Sequence, residues 1–480
     1  MTLYYVNPDV KEIKLSSLLD YYELDYRDGW IYNHNFFNKI YYLENSEGIY
    51  FTNNLKNLSN IFQFEIDEEI EFYYKNTGLI IPPYTIYKNI YRIGPYTMFK
   101  IEDNKIIIKD IFPKSNKNKL DIERFEKIIE KSLFELKNTS MNVITLSGGA
   151  DSSLLTAISY KNNIYAKTIT CLMDGLEHEY NKARKISAQF NYPNIKYIPD
   201  SDKLNSIVKH YISNTFEPIF DSIYPVMTNM LENIEYVNIL DGQGADSILM
   251  GLPHNRLVGI YKNYMKFFRP LVQVFEKYEI NKGSRLGRYL FRLQKALSSL
   301  AHNDVYECLL SSLNFPIIKE SNYYMFVYKK LTEINEHYKD IHKVVSYFFT
   351  FKVISIREIQ KYESLITNKK NVILPFLEDA MINYIFSLDT NELIDKLNIK
   401  KPIYDLINNY LPGIIKRNQT SPFFVKYKDY NDYKYDNLFN GKKYCVRDVD
   451  IYNFTSMVIE QLKKHIEISS HKQHAGRVMQ

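Results

Sequence analysis

Between residues 142 and 240 short apolar runs alternate with segments of helical periodicity, and that alternation leaves few folds open. The apolar runs are NVITL (142–146), AKTITCL (166–172), IKYI (195–198) and YVNIL (236–240). Helical patterns at Ser152–Tyr160, Glu177–Phe190, Lys203–Ser213 and Ile223–Asn233 separate them. Strands that are apolar on consecutive residues bury both faces, and a helix between successive strands returns the chain for parallel pairing. The expected fold is therefore α/β, a parallel sheet with helices on both faces.

The flanks read differently. Residues 1–112 hold short β-branched or alternating stretches punctuated by Gly, Asn and Asp, which predicts a small β-rich N-terminal domain. FPKSNKNKLD is polar and basic with a Pro, so residues 113–120 read as a linker. Asp121 then caps a helix whose apolar positions are Ile122, Phe125, Ile129, Leu133 and Leu136. Residues 121–480 form the second domain, mainly helical from about Arg256 onward.

Two loops leave strand ends with matching character. The first is Ser147-Gly148-Gly149-Ala150-Asp151-Ser152, and it uses two of the 16 glycines in a 480-residue chain. The second is Asp241-Gly242-Gln243-Gly244-Ala245-Asp246. In a doubly wound sheet, ligands bind beyond the carboxyl ends of the strands. Adjacent glycines let backbone approach an anion, and the following helix offers free N–H groups and a positive dipole end. Serine hydroxyls add donors. No lysine follows the glycines, so this phosphate cradle is not of the Walker type. Asp151 repels phosphate but suits Mg²⁺, with Asp246 as the second carboxylate. The residues alone thus predict a nucleotide–Mg²⁺ site built on two strand ends. Ser147, Gly148, Gly149, Ser152 and Gly242 hold the nucleotide, while Leu146, Leu172 and Met173 are candidates to flank its base.

Charge and cysteine usage exclude other classes. With 61 basic and 56 acidic residues the net charge is +5, too balanced for a nucleic-acid partner. The abundant tyrosine, 43 residues, reads as compositional bias. Cys171, Cys308 and Cys445 are too scattered for a disulfide framework or a zinc site, which fits a reducing cytoplasm. No signal peptide is visible, and no apolar run is long enough to span a bilayer.

Ser147 to Ser152 match the Ser-Gly-Gly-x-Asp-Ser signature in full, and the chain resembles the PP-loop, or N-type, ATP pyrophosphatases. Within them it resembles the asparagine synthetase-like group. GQGADSILMG (242–251), FEPIF (216–220), LPFLEDAMINYIFSL, with Glu378 where the group has Asp, and KPIYDLINNYLPGIIKRNQTSPF are similar to that group's segments. FYYKNTGLIIPPYTIYKNIYRIGPYTMFKI resembles the closing part of a glutaminase domain. Such a domain needs an N-terminal cysteine, whereas residue 2 is Thr2. The N-terminal domain is therefore expected to be a truncated, inactive glutaminase relative.

The resemblance implies ATP-dependent adenylation of a carboxylate, with AMP and pyrophosphate as products, followed by amide formation. In layout the chain looks closest to lasso peptide macrolactam synthetases and beta-lactam synthetases, which close a ring with an amine of the substrate. The substrate expected is a carboxylate-bearing precursor peptide, and the partner a peptidase or leader-recognition protein. Gln243 stands where relatives carry Glu or Tyr, and no lysine closely follows Arg417. Arg417, Lys416 and Gln243 are the catalytic candidates, with Lys426 as a further substitute cation. His178 and His254 lie near the mouth. Competing readings are amidation of a small molecule without glutaminase activity, sulfur or nitrogen transfer, and a non-catalytic nucleotide-binding partner protein.

Overall fold

The computed structural model describes residues 3–7, 9–172, 177–261, 297–395, 398–415 and 446–478. Five strands form the parallel sheet, in the order Asn194–Tyr197, Lys167–Cys171, Asn142–Thr145, Asn238–Leu240, Asn371–Ile373. Every neighbouring pair is parallel. The chain starts in the centre, works outward to one edge, and then crosses to the other side of its first strand. The order therefore reverses between Asn142–Thr145 and Asn238–Leu240, the two strands that carry the glycine loops. Such a reversal leaves a crevice at the carboxyl ends, because the flanking connections diverge to opposite faces.

Alternation along these strands feeds two cores. Val143, Ile169 and Ile239 face one layer, where they meet Leu204, Val208 and Ile212 of helix Ser201–Thr215 and Met227 and Met230 of helix Tyr224–Glu232. Ile144 and Leu240 face the other, against Leu154 and Ile158 of helix Ala150–Lys161 and Ile403 and Ile407 of helix Lys401–Tyr410. Ile122–Ser132 and Glu177–Gln189 complete that second layer. Asp121 caps the former, its carboxylate accepting the Arg124 N–H at 3.0 Å. The second half is mainly helical among the described residues, as expected, and adds one strand that was not among those read from the sequence, Asn371–Ile373, ordered by pairing with Asn238–Leu240.

The N-terminal region folds into a five-stranded mixed sheet and a four-stranded antiparallel one, with helices Leu15–Tyr22 and Glu68–Thr77. Leu18, Ile31, Ile40, Phe51 and Phe99 form a core between the two sheets. A second contact joins this region to the α/β part through tyrosine hydroxyls. Tyr74 donates to the Ile219 carbonyl at 2.5 Å, Tyr87 to the Phe216 carbonyl at 2.6 Å, and the Ile81 N–H donates to Tyr323 at 2.7 Å. Tyrosine suits such a seam because its ring fills the core while its hydroxyl satisfies a carbonyl that burial would otherwise strand.

Charge locks the same seam. The Lys39 ammonium lies 2.6 Å from Glu217 Oε1 and 2.8 Å from Glu363 Oε2. Tyr211 donates to both carboxylates. Burial pulls Lys39 down, but the two carboxylates outweigh it and hold the ammonium above its ordinary value. Removing one partner of a buried pair leaves uncompensated charge, at a cost of about 3–5 kcal/mol. Lys39→Met should lower stability by roughly that amount in chemical denaturation, and adding Glu363→Gln should recover part of it. An unchanged unfolding midpoint in Lys39→Met would contradict this assignment.

Candidate active site

Strand Asn142–Thr145 runs into the first glycine loop, and helix Ala150–Lys161 starts directly after it. Gly148 has φ +77°, a left-handed conformation, and a side-chain carbon there would sit 3.2 Å from the Ala183 nitrogen and 3.3 Å from the Glu179 carbonyl oxygen. Helix Glu177–Gln189 thus packs on bare backbone at this turn. Ser147 and Ser152 clasp the loop, their hydroxyls 3.1 Å apart, and the Ser147 N–H donates to Ser152 Oγ at 3.2 Å. Gly149 precedes the helix and has no side chain with which to cap it. The first-turn amides are thereby left to an external anion.

The second loop touches the first. A side-chain carbon at Gly242 would lie 3.2 Å from Asp151 Cβ, so the missing side chain lets the two loops meet. Gly244 is left-handed at φ +95° and packs against Leu377, from the segment that follows the fifth strand. Asp246 lies in the short helix Ala245–Ile248 and remains half-exposed.

Asp151 and Asp246, predicted as a metal-holding pair, are brought together. Between them stands a side chain that the sequence reading did not single out. Lys400 Nζ lies 2.6 Å from Asp151 Oδ2 and 2.5 Å from Asp246 Oδ1. Lys400 is buried, left-handed at φ 51°, and sits immediately before helix Lys401–Tyr410. A helix N-terminus repels a cation, and the two carboxylates offset that repulsion here. Burial lowers the proton affinity of Lys400, but the two carboxylates more than reverse it and keep the ammonium charged. Burial pushes the Asp151 carboxyl up to about 6 against the pull of Lys400, and Asp246 adds to the rise.

Gln243 lies on the other side of its loop, within a second polar cluster. Its amide N–H donates to Glu358, and Lys361 Nζ donates to its Oε1 at 2.6 Å. Arg357 is 3.1 Å from Glu358 and 3.6 Å from Asp221. Burial alone would raise Glu358, but Arg357 and Lys361 outweigh it and hold the carboxylate below its usual range. Glu358 and Lys361 are likewise absent from the candidates read from the sequence.

Leu146 is buried in the core with Ile144, while Leu172 is half-buried at the end of strand Lys167–Cys171. His178 is exposed and His254 stacks near Phe349. Arg417, Lys416, Lys426, Met173 and Cys445 lie outside the described residues. No helix among the described residues is long and apolar enough to cross a membrane.

Residues 141–440 match the family model described as asparagine synthase. No curated protein matches the chain.

Burial and the neighbouring Asp246 raise the Asp151 carboxyl to about 6, so it gives up its charge at a higher pH than an ordinary carboxylate. Nucleotide-dependent metal binding should therefore weaken as the pH falls below about 6, sooner than for an ordinary carboxylate. Stability should not fall in that window through Asp151, because a raised carboxylate favours the protonated folded chain. Calorimetric titrations and thermal melts across the same pH range separate the two effects. Metal binding that is flat through the window would contradict the assignment.

Proposed function

We propose, for a chain that belongs to the asparagine synthase family, that its reaction adenylates a carboxylate and then closes an amide with an amine carried on the same peptide substrate. The family uses ATP, and the chain is in that general sense an ATP-dependent amidating ligase. The observation that supports the nucleotide-dependent step is the meeting of Asp151 and Asp246 around one cation, beside a helix N-terminus entered through two glycines.

A carboxylate is a poor electrophile, and transfer to AMP supplies a good leaving group. The first-turn amides of Ala150–Lys161 bind phosphate oxygens, and Gly148 and Gly149 allow the backbone to come close. Asp151 and Asp246 fit a magnesium ion. Asp151 Oδ1 is buried with no hydrogen-bond partner among the described residues, and a cation already stands between the two carboxylates. When bound, that ion neutralises charge on the departing pyrophosphate. Glu358, kept ionised by Arg357 and Lys361, accepts the Gln243 amide N–H and so fixes that side chain beside the second loop.

Residues 1–170 contain no cysteine, so the thiol that glutamine hydrolysis of this type requires is missing from them, which leaves the substrate itself or free ammonia as the source of the amine; the reading takes the substrate. The reading takes the product as a macrolactam of the lasso type, made in the cytoplasm from a precursor peptide that a peptidase partner trims.

Incubation with ATP, magnesium and candidate peptides, followed by nucleotide analysis and mass spectrometry, tests this. The expected outcome is AMP, pyrophosphate and a peptide lighter by one water. Asp151→Ala and Asp246→Ala should each lower the rate by at least about a hundredfold. Release of ADP and phosphate would contradict the reaction class.

A further inference from the structure

We infer that Lys400 is a resident cation that keeps divalent metal out of the Asp151–Asp246 pair until a triphosphate arrives to take up its ammonium, so that metal binding is conditional on nucleotide. The inference rests on the site being the nucleotide–metal centre proposed above.

The placement of Lys400 is built into the fold. A side-chain carbon at Gly251 would collide with Lys400 Cε and lie 2.7 Å from both Lys400 Cγ and Asp246 Oδ1. The absent side chain is thus the channel through which the lysine stem reaches the carboxylates. At the other end of the stem, a left-handed backbone and a helix N-terminus are both unfavourable to lysine. The contacts at 2.5 and 2.6 Å are what offset them. The arrangement also relieves the aspartates. Two carboxylates this close repel each other, and in a partly buried crevice that repulsion is poorly screened.

Charge then decides the order of binding. With Lys400 in place the triad carries one net negative charge, a weak lure for a magnesium ion that gives up its hydration shell reluctantly. The metal must also displace an ammonium that is tethered, and so always at hand. A triphosphate changes both terms. Its oxygens supply new metal ligands, and they lie where the first-turn amides next to Asp151 direct them. They also accept the Lys400 ammonium, which its four-carbon stem lets swing without leaving the crevice. Lys400 thereby reaches the phosphates from a remote helix, in a loop that has no Walker lysine of its own.

The test is a titration of the full chain with Mn²⁺, with and without a nonhydrolysable ATP analogue, in which protein-bound metal is read as the loss of the free-ion EPR signal beyond that in a protein-free titration of the same analogue. Wild type should bind Mn²⁺ at least about tenfold more tightly with the analogue than without it. Lys400→Met should bind Mn²⁺ without nucleotide at least about tenfold more tightly than wild type does. Lys400→Gln, which keeps a polar stem, should do the same and covers the case in which the Met variant fails to fold. Wild type binding Mn²⁺ alone as tightly as the variants would overturn the gate and leave the nucleotide site standing. An analogue that raises Mn²⁺ affinity in none of the proteins would overturn the gate together with the nucleotide reading.

Discussion

Two aspartates that come from different loops share one lysine ammonium, and the surrounding architecture follows from allowing that contact. Asp151 is delivered by the first turn of a helix, Asp246 by the second loop, and Lys400 by the start of a helix much further along the chain. Gly242 lets the loops meet, and Gly251 lets the lysine through. Each is a place where any side chain would occupy the path of another functional group. The glycines of this site are therefore spent on approach as much as on backbone conformation.

The N-terminal region is joined to this machinery by a seam of tyrosine hydroxyls and by the buried Lys39–Glu217–Glu363 triad. Glu363 belongs to helix Glu363–Thr367, which begins five residues after Glu358. The seam thus reaches almost to the second polar cluster of the site. The N-terminal region has a plain physical use here: it covers the apolar face of the α/β part and walls one side of a large cavity.

Much of this is legible in the amino-acid sequence. Four of the five parallel strands and the helices between them show as apolar runs alternating with helical periods. Asp151, Asp246 and the glycine turns show because their chemistry is local: an acid and two glycines between a strand and a helix. What stays hidden depends on contacts between residues distant in the chain. Lys400 looks like one lysine among many until the fold sets it on Asp151, and nothing near Arg417 in the sequence points back to it. Glu358 and Lys361 acquire meaning only through Gln243, more than a hundred residues earlier. The strand Asn371–Ile373 sits between a polar Asn368-Lys369-Lys370 run and Pro375, so it does not stand out until it pairs with Asn238–Leu240.

The most direct measurement is anomalous diffraction from crystals grown with Mn²⁺ and a nonhydrolysable ATP analogue. The account predicts one manganese peak shared by the Asp151 and Asp246 carboxylates and the analogue's phosphates, with the Lys400 ammonium moved from between the aspartates onto a phosphate oxygen. Manganese bound elsewhere, or phosphates that bypass the Gly148–Gly149 turn with the Lys400 contacts intact, would contradict it.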